Sequence, residues 1–316
     1  MTPEPAPLLG VEAAPVPAGG VAEWVRGEGG TRLRAALFPS EAPRGSVILS
    51  GGRTEPIEKY YEVVDDLRSR GFTVLTHDWR GHGLSDRLTA DPLRGHGGPA
   101  RLYTGDFTRL LDAFEARLPR PWIALGHSMG GGLVALALAE GERRLAGAVL
   151  SAPMMGVLTG SIPMAVARVL ACGASRLGLG RAYVAGPGDP LGGTFETNVL
   201  THDRARWTRT LALLQAYPQL RLGNVTWAWL DFALTLAARL AAVRPGQIEL
   251  PLAIVAAGEE RLVDNRASRA FAGKVAGARW VEVPGAFHEI LMETDAVRAV
   301  FWAEFDQVAA RVLGEA

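Results

Sequence analysis

Residues 126–130 have the sequence Gly-His-Ser-Met-Gly, which places a serine between two glycines. The apolar run 121–125 precedes this pentapeptide, and a glycine-rich apolar run, 131–139, follows it. This order predicts a strand, a sharp turn and a helix, the context of a nucleophile elbow that lifts the serine hydroxyl above the sheet edge. The flanking glycines have no Cβ, so the strand and the helix can approach closely. Ser128 is therefore the candidate nucleophile of an acyl transfer.

A histidine suited to be the general base occurs late in the chain. A serine hydroxyl is a weak nucleophile at neutral pH, so it needs a base within hydrogen-bond distance and a carboxylate that orients the base. After an elbow of this kind the order along the chain is serine, acid, histidine. His288 lies in a loop after the predicted strand 279–283, and we identify it as the base.

The acid is expected in the loop that follows the predicted strand 253–257. Residues 258–265 contain three carboxylates, those of Glu259, Glu260 and Asp264. At least one of them must be an ordinary solvated side chain. The order of the residues alone leaves the choice among the three open.

An oxyanion hole requires two backbone N–H donors. One is expected from the residue after the nucleophile, Met129, and the other from the loop near Arg53. Two glycines at positions 51 and 52 allow this loop to curl toward the serine. The Arg53 side chain is not needed for that role, and two interpretations of it stay open: a surface arginine, or a ligand for an anionic head group.

The composition excludes several classes of protein. The 316 residues are 48% hydrophobic and 21% charged, which is enough apolar content for a sizeable core. Basic and acidic residues number 33 each, so the net charge is zero and a nucleic-acid partner is disfavoured. The single cysteine, Cys172, excludes an internal disulfide and fits a reducing compartment. The six histidines form no spaced cluster with other ligand residues, so we expect no metal site.

Two segments bear on where the protein is located. Residues 1–20 lack the basic and apolar regions of a signal peptide and are expected to form an extended arm. Residues 155–174 are apolar but are interrupted by glycine, proline and arginine, so we interpret them as a cap helix, not a transmembrane span. We predict a cytoplasmic protein, with peripheral contact between the cap and the inner membrane as an open alternative. The oligomeric state is also open.

Strand and helix patterns alternate along most of the chain. Strands are predicted at residues 21–26, 33–38, 46–50, 72–76, 121–125, 146–151, 251–257 and 279–283, and helices at 57–70, 106–118, 267–275 and 295–313. This alternation predicts the α/β class, with a mostly parallel central sheet flanked by helices. Helical and loop patterns alone fill the middle of the chain. We therefore expect an N-terminal arm at 1–20, a core at 21–152 and 246–316, and an inserted, largely helical cap at 153–245.

Several motifs resemble those of the α/β-hydrolase superfamily. They are the elbow, Asp-Trp-Arg-Gly-His-Gly-Leu-Ser at 78–85, and the acidic loop at 258–265. Residues 52–60, 260–265 and 285–291 are most similar to the lysophospholipase L2 and monoacylglycerol lipase group, which is sometimes grouped with serine aminopeptidases. The resemblance covers most of the chain from about residue 21 onward. One departure is Ser-Gly-Gly at 50–52, where much of the superfamily has a His-Gly pair.

This resemblance implies hydrolysis of an acyl ester of a single-chain lipid, a lysophospholipid or a monoacylglycerol, without a cofactor. A peptidase or thioesterase on the same scaffold, or a binding protein with a vestigial triad, stays an alternative because fold does not determine the substrate. Haloalkane dehalogenases and epoxide hydrolases are excluded, because both need a carboxylate nucleophile and position 128 is a serine.

The resemblance also favours one of the three acids. The usual loop of the superfamily places an aspartate three residues after the glycine that ends the strand and three before a valine. Here Val263 lies three residues after Glu260, but Gly258 lies only two residues before it. The longer side chain of a glutamate compensates for the missing residue, so we predict Glu260 as the acid. Asp264 is the rival, and its other expected role is to cap the following helix.

The predicted cap supplies apolar side chains for an acyl chain. Seven aromatic residues occur in it: Tyr183, Phe195, Trp207, Tyr217, Trp227, Trp229 and Phe232. We expect at least half of them to form the cap's own core and the others to face the substrate. A flexible apolar wall is expected from Met154, Met155, Leu158, Met164 and Leu170.

Three other histidines are expected to be structural. His127 occupies the variable position of the elbow, and His82 belongs to a turn that supports the pocket. His202 lies in the cap, where contact with the substrate is the alternative to a structural role.

Overall fold

The computed structural model describes residues 4–315, which contain a nine-stranded sheet in the order β1-β2-β3-β5-β4-β6-β7-β8-β9. The strands are β1 (Glu4–Ala6), β2 (Val21–Arg26), β3 (Arg32–Phe38), β4 (Gly45–Ser50), β5 (Phe72–His77), β6 (Trp122–His127), β7 (Leu145–Ser151), β8 (Leu252–Ala257) and β9 (Arg279–Val283). The first three strands are antiparallel to their neighbours, and all pairs from β5 to β9 are parallel. The predicted mostly parallel sheet is confirmed.

Helices cover both faces of this sheet. They are α1 (Tyr61–Ser69), α2 (Ala100–Phe114), α3 (Ser128–Ala139), α4 (Met164–Arg176), α5 (Arg204–Ala216), α6 (Trp227–Ala241), α7 (Asn265–Ala272) and α8 (Asp295–Leu313). Alternate residues of a strand point to opposite faces, so Ile123 and Leu125 pack with α1 and α8, whereas Ala124 packs with α2, α3 and α6. Strand β6, which leads to the elbow, is thus buried on both sides.

The structure differs from the sequence-based expectation at three elements. The cap helix expected over residues 155–174 begins only at Met164, after Pro163, because a proline is tolerated at the start of a helix but not in its interior. Strand β1 lies within the predicted arm and pairs with β2; residues 1–3 lie outside the described part of the chain. Helix α2 begins at Ala100, six residues before the predicted start. A glycine inside a helix is unfavourable by about 1 kcal/mol, so Gly105 made the sequence before residue 106 look unlike a helix. Burial of Tyr103 and Phe107 outweighs that cost.

A buried ion cluster holds the loop after β5. The guanidinium of Arg34 on β3 donates to Glu58 at 2.6 Å and to Asp78 at 2.8 Å, and all three side chains are fully buried. Asp78 also accepts backbone N–H groups from Ile57 and Leu84. The start of the motif at 78–85 is therefore a support for the loops around the site and makes no contact with the reacting groups.

The segment between β7 and β8 contains α4, α5 and α6, and we refer to residues 153–245 as the cap. Arginines anchor it to the core: Arg206 and Arg209 on α5 both donate to Glu62 on α1 at 2.6 Å. Arg298 on α8 donates to the same carboxylate at 2.9 Å. Within residues 4–315, no helix has the length and apolar character needed to cross a bilayer.

Candidate active site

The elbow at Ser128 joins β6 directly to α3. Ser128 has a φ of 49°, a left-handed conformation that costs a non-glycine residue about 1–3 kcal/mol. A Cβ on Gly130 would lie 2.2 Å from the carbonyl oxygen of Ser50, and one on Gly126 would lie 2.7 Å from the Cα of Gly131. Both positions therefore require glycine, because the turn brings backbone from three segments into contact. The surrounding fold holds the strained serine at the C-terminal edge of the sheet.

Three of the predicted site residues form one hydrogen-bonded chain. The Oγ of Ser128 lies 2.9 Å from Nε2 of His288, and Nδ1 of His288 lies 2.7 Å from Oε2 of Glu260. The histidine follows β9 and the glutamate follows β8, so neighbouring parallel strands deliver both side chains to the elbow. All three lie at the same edge of the sheet. This arrangement suits a nucleophile, its base and the acid that orients the base.

Glu260 is held in place by its own loop. Its second oxygen, Oε1, accepts the backbone N–H groups of Arg261, Leu262 and Val263 at 2.8–3.2 Å. Burial alone would raise the pKa of Glu260, but the hydrogen bond and charge of His288, together with backbone N–H groups, outweigh it and lower the pKa. The carboxylate is therefore the favoured form beside the histidine.

The other two carboxylates of that loop point elsewhere. Asp264 caps α7 by accepting the backbone N–H of Arg266 at 3.0 Å, and it also pairs with the Arg266 guanidinium. Glu259 is exposed to solvent. Neither residue contacts His288 within hydrogen-bond distance.

The predicted oxyanion donors lie on the loop after β4 and at the start of α3. Met129 is the second residue of α3, so its backbone N–H has no intrahelical acceptor. The backbone N–H of Arg53 donates to no acceptor within residues 4–315. The preceding N–H, that of Gly52, donates to the carboxylate of Glu55 and fixes the curl of the loop.

A buried charge network, which sequence reasoning did not single out, lies next to these donors. Lys59 donates to Glu55 at 2.8 Å and also to Glu289, the neighbour of the predicted base. The hydroxyl of Tyr60 donates to Glu55 at 2.5 Å. Burial alone would raise the pKa of Glu55, but the charge of Lys59 and the hydrogen bonds from Lys59 and Tyr60 hold it well below the usual value. The i, i+4 spacing of Glu55 and Lys59 was the available signal, and the contact with Glu289 spans 230 residues.

The three histidines expected to be structural make no hydrogen bond to Ser128, His288 or Glu260, although His127 lines the cavity beside them. Burial lowers the pKa of His127 to about 4, so its imidazole is neutral, and Nδ1 lies 3.2 Å from the carbonyl of Ser151. His82 is buried with Nδ1 2.9 Å from the carbonyl of Arg80. His202 pairs with Glu293 at 2.7 Å and does not line the cavity beside Ser128.

That cavity lies between the core and the cap and has a volume of about 470 Å³. Of the seven cap aromatics, Trp207 and Trp229 line it, and Phe232 stacks on Tyr103 of α2, which belongs to the core. Of the predicted flexible wall, only Met154 and Leu158 line the cavity. The expectation was wrong for the other three residues, Met155, Met164 and Leu170. Met155 is buried in the core, whereas Met164 and Leu170 lie on the face of α4 that points to solvent when this helix packs against α6.

Fold and site together define an α/β hydrolase with a serine nucleophile elbow. A family model described as "Serine aminopeptidase, S33" matches residues 41–295. The chain belongs to this family, as its motifs indicated.

The chain is also similar to individual curated proteins. The chain is 34% identical over 278 residues to lysophospholipase L2 of Escherichia coli K12, covering 85% of this chain and 81% of that protein. It is 28% identical over 284 residues to monoacylglycerol lipase of Mycolicibacterium smegmatis, covering 85% and 90% of the two chains.

A solved structure agrees on the fold. A soluble variant of monoglyceride lipase from Saccharomyces cerevisiae, in complex with a substrate analog, superposes with a TM-score of 0.74. The superposition covers 97% of this chain and 99% of that one at 19% identity. At this identity the likeness concerns the fold alone.

Proposed function

We propose that this protein is a carboxylic ester hydrolase that acts on single-chain lipid esters, namely lysophospholipids or monoacylglycerols. The observation that carries the proposal is the chain of hydrogen bonds from Ser128 through His288 to Glu260, which opens into the cavity under the cap. The names of the curated relatives support the same substrate class. A cavity of about 470 Å³ is within the usual range for small-molecule sites.

The proposed mechanism is acyl transfer through a covalent intermediate. His288 Nε2 accepts the proton of Ser128 as Oγ attacks the ester carbonyl, and Glu260 stabilises the imidazolium that forms. The backbone N–H groups of Arg53 and Met129 donate to the oxyanion. The imidazolium then protonates the leaving alcohol. A water molecule, activated by the same histidine, releases the fatty acid and restores the serine.

We also propose that the cap contacts a lipid surface. Exposed apolar side chains cluster between residues 158 and 179: Leu158, Ile162, Met164, Val166, Val169, Leu170, Leu177 and Leu179. Val169 is 71% exposed and Leu177 is 80% exposed, which is unusual for such side chains in a protein that meets only water. The exposed arginines Arg168 and Arg176 on the same helix suit an anionic bilayer.

A vesicle assay tests this contact. Val169→Asp and Leu177→Asp should reduce co-sedimentation with anionic vesicles, while hydrolysis of a dissolved short-chain ester is retained. Val300→Asp, at an exposed apolar position on α8, is the matched control. Unchanged co-sedimentation of the cap variants would exclude this face as the docking surface.

A substrate panel tests the proposed reaction. The wild type should hydrolyse lysophospholipids and monoacylglycerols faster than thioesters and aminoacyl amides, and Ser128→Ala should abolish turnover. A fluorophosphonate should label the wild type at Ser128 and leave the variant unlabelled. Preferential cleavage of the aminoacyl amides would instead identify a peptidase, and turnover by Ser128→Ala would exclude this serine as nucleophile.

A further inference from the structure

One arginine in the cavity wall carries a charge that no carboxylate compensates. Nη2 of Arg53 donates to the carbonyl of Gly223, and Nε is buried without any partner. Arg53 as a whole is half-buried. The buried arginines Arg34, Arg80 and Arg298 each pair with carboxylates. Within residues 4–315, Arg53 forms no ion pair. The surface arginine that the sequence allowed is thus a cavity residue.

The other cations that line the cavity are already engaged. Lys59 is bound by Glu55 and Glu289, and Arg206 is bound by Glu62, Asp203 and Asp295. In the described part of the chain, Arg53 is therefore the one lining lysine or arginine still free to bind an anion. Burial lowers the pKa of its guanidinium to about 10, so the group stays cationic at neutral pH.

A second donor without a partner lies beside Arg53. The guanidinium is 5.5 Å from the ring centroid of Trp229, whose Nε1 is also buried and makes no hydrogen bond. A Cβ on Gly95 would lie 2.7 Å from Nη2 of Arg53, so glycine leaves room for the guanidinium. An unpaired buried donor costs about 1–3 kcal/mol, and this wall contains two of them. What both groups lack is an acceptor-rich partner.

The position of Arg53 relates this wall to the reaction. Its backbone N–H is the proposed oxyanion donor, and its side chain begins at the same residue. A lysophospholipid carries its phosphate one glycerol unit from the ester carbonyl that Ser128 attacks. A guanidinium donates two parallel N–H groups to a phosphate, which makes arginine the residue suited to such a group.

The geometry points to Arg53 and Trp229 as a binding site for the phosphate of a single-chain phospholipid, which makes the enzyme select lysophospholipids over neutral monoacylglycerols. This inference rests on the proposed ester hydrolysis and deepens it. The two substrates share the acyl chain and the glycerol unit, so the phosphate is the feature that these donors distinguish.

A ratio of rates tests the selection. Wild type, Arg53→Met and Arg53→Lys are assayed with oleoyl lysophosphatidylglycerol and oleoylglycerol. Arg53→Met keeps a backbone N–H and an unbranched side chain, and any general loss affects both substrates and cancels in the ratio. We expect the ratio of kcat/KM values to fall about 10- to 100-fold, mostly through KM, because a hydrogen bond to a charged group contributes about 1.5–3 kcal/mol. The ratio for Arg53→Lys should lie between those of Arg53→Met and the wild type.

Binding measurements separate this inference from the proposed reaction. Ser128→Ala, with and without Arg53→Met, is titrated with both lipids below their aggregation concentrations. Weaker binding of the phospholipid alone supports the site, even if the wild type proves not to hydrolyse it. An unchanged ratio and unchanged binding overturn the inference and leave ester hydrolysis intact. Inorganic phosphate and glycerol 3-phosphate serve as competitors; if either binds as tightly as the lipid, the site recognises free phosphate and not a lipid head group.

Discussion

Nδ1 of His288 lies 2.7 Å from Oε2 of Glu260, and this contact joins the loops that follow the last two strands of the sheet. Glu260, the proposed acid, reaches the imidazole from a loop that is one residue shorter on its strand side than the usual loop of the superfamily. Three backbone N–H groups hold its other oxygen, so the carboxylate is aligned before any substrate enters.

Removing the charge of Glu260 should abolish nearly all turnover. Glu260→Gln keeps the shape of the side chain but no longer stabilises the imidazolium or favours the correct tautomer. In serine proteases the corresponding change costs on the order of 10⁴ in turnover, and we expect a similar loss of kcat. Asp264→Asn is the matched control, because an amide oxygen can still cap α7, and it should retain turnover. The reverse pattern in a parallel assay would make Asp264 the acid.

Removing the cation between two buried carboxylates should destabilise the site. Lys59→Met leaves Glu55 and Glu289 buried without compensation, and breaking a buried pair in this way costs about 3–5 kcal/mol. Because Glu55 accepts the Gly52 backbone N–H in the loop that carries the proposed oxyanion donor, we expect kcat to fall as well. Denaturant unfolding and ester kinetics measure the two effects. Lys274→Met, at the chain's other lysine, should change neither the free energy of unfolding nor kcat by much. Equal effects of the two variants would contradict the role of Lys59 between the two carboxylates.

The attachment of the cap should depend on pH through Glu62. Burial alone would raise its pKa, but hydrogen bonds from Arg206 and Arg209 and the charge of Arg298 lower the pKa to about 2. A carboxyl whose folded pKa is depressed stabilises the fold above the unfolded value of about 4.5 and loses that contribution as the pH falls toward 2.

Glu62→Gln should therefore lower the free energy of unfolding at pH 7 by about 1–2 kcal/mol, less than the full shift in pKa would give, because solvent partly screens this half-buried carboxylate. The difference from wild type should shrink between about pH 5 and 2, which unfolding curves at a series of pH values would measure. Glu12→Gln, at an exposed position near the N-terminus, is the control. A destabilisation that stays constant down to pH 2 would mean that packing, and not the charge of Glu62, is responsible.

The cap should set the acyl length that the cavity accepts. Leu214 on α5 lines the cavity, so Leu214→Trp fills part of it and should reduce kcat/KM for long-chain esters far more than for acetate esters. Ala216→Trp places the same side chain at an exposed position of the same helix and is the control. Equal losses on long and short esters would show that this part of the cavity does not hold the acyl chain.

Local patterns were sufficient to predict the sheet and the elbow. The alternation of strands and helices indicated a parallel sheet, and Gly126 and Gly130 marked the turn because only glycine fits there. Glu260 was chosen as the acid from the spacing of residues in its loop. In the structure its carboxylate lies 2.7 Å from Nδ1 of His288.

Other features depend on contacts that no local pattern records. The pairing of Lys59 with Glu289 joins residues 230 positions apart. Whether an arginine pairs with a carboxylate depends on the residues that fold around it. The sequence therefore did not show whether Arg53 lies at the surface or can bind an anionic group. Likewise, the outward turn of Met164 follows from which face of α4 packs against α6, and its apolar residues alone did not indicate that face.

The order of the site along the chain has a consequence for synthesis. Ser128 leaves the ribosome long before the acid and the base, which follow the last two strands, β8 and β9. A nascent or truncated chain that ends within the cap has the proposed nucleophile and neither of its hydrogen-bonded partners. On the proposed mechanism, ester hydrolysis can therefore begin only after the final strands have joined the sheet. In a refolding experiment, the appearance of esterase activity would report the closing step of assembly.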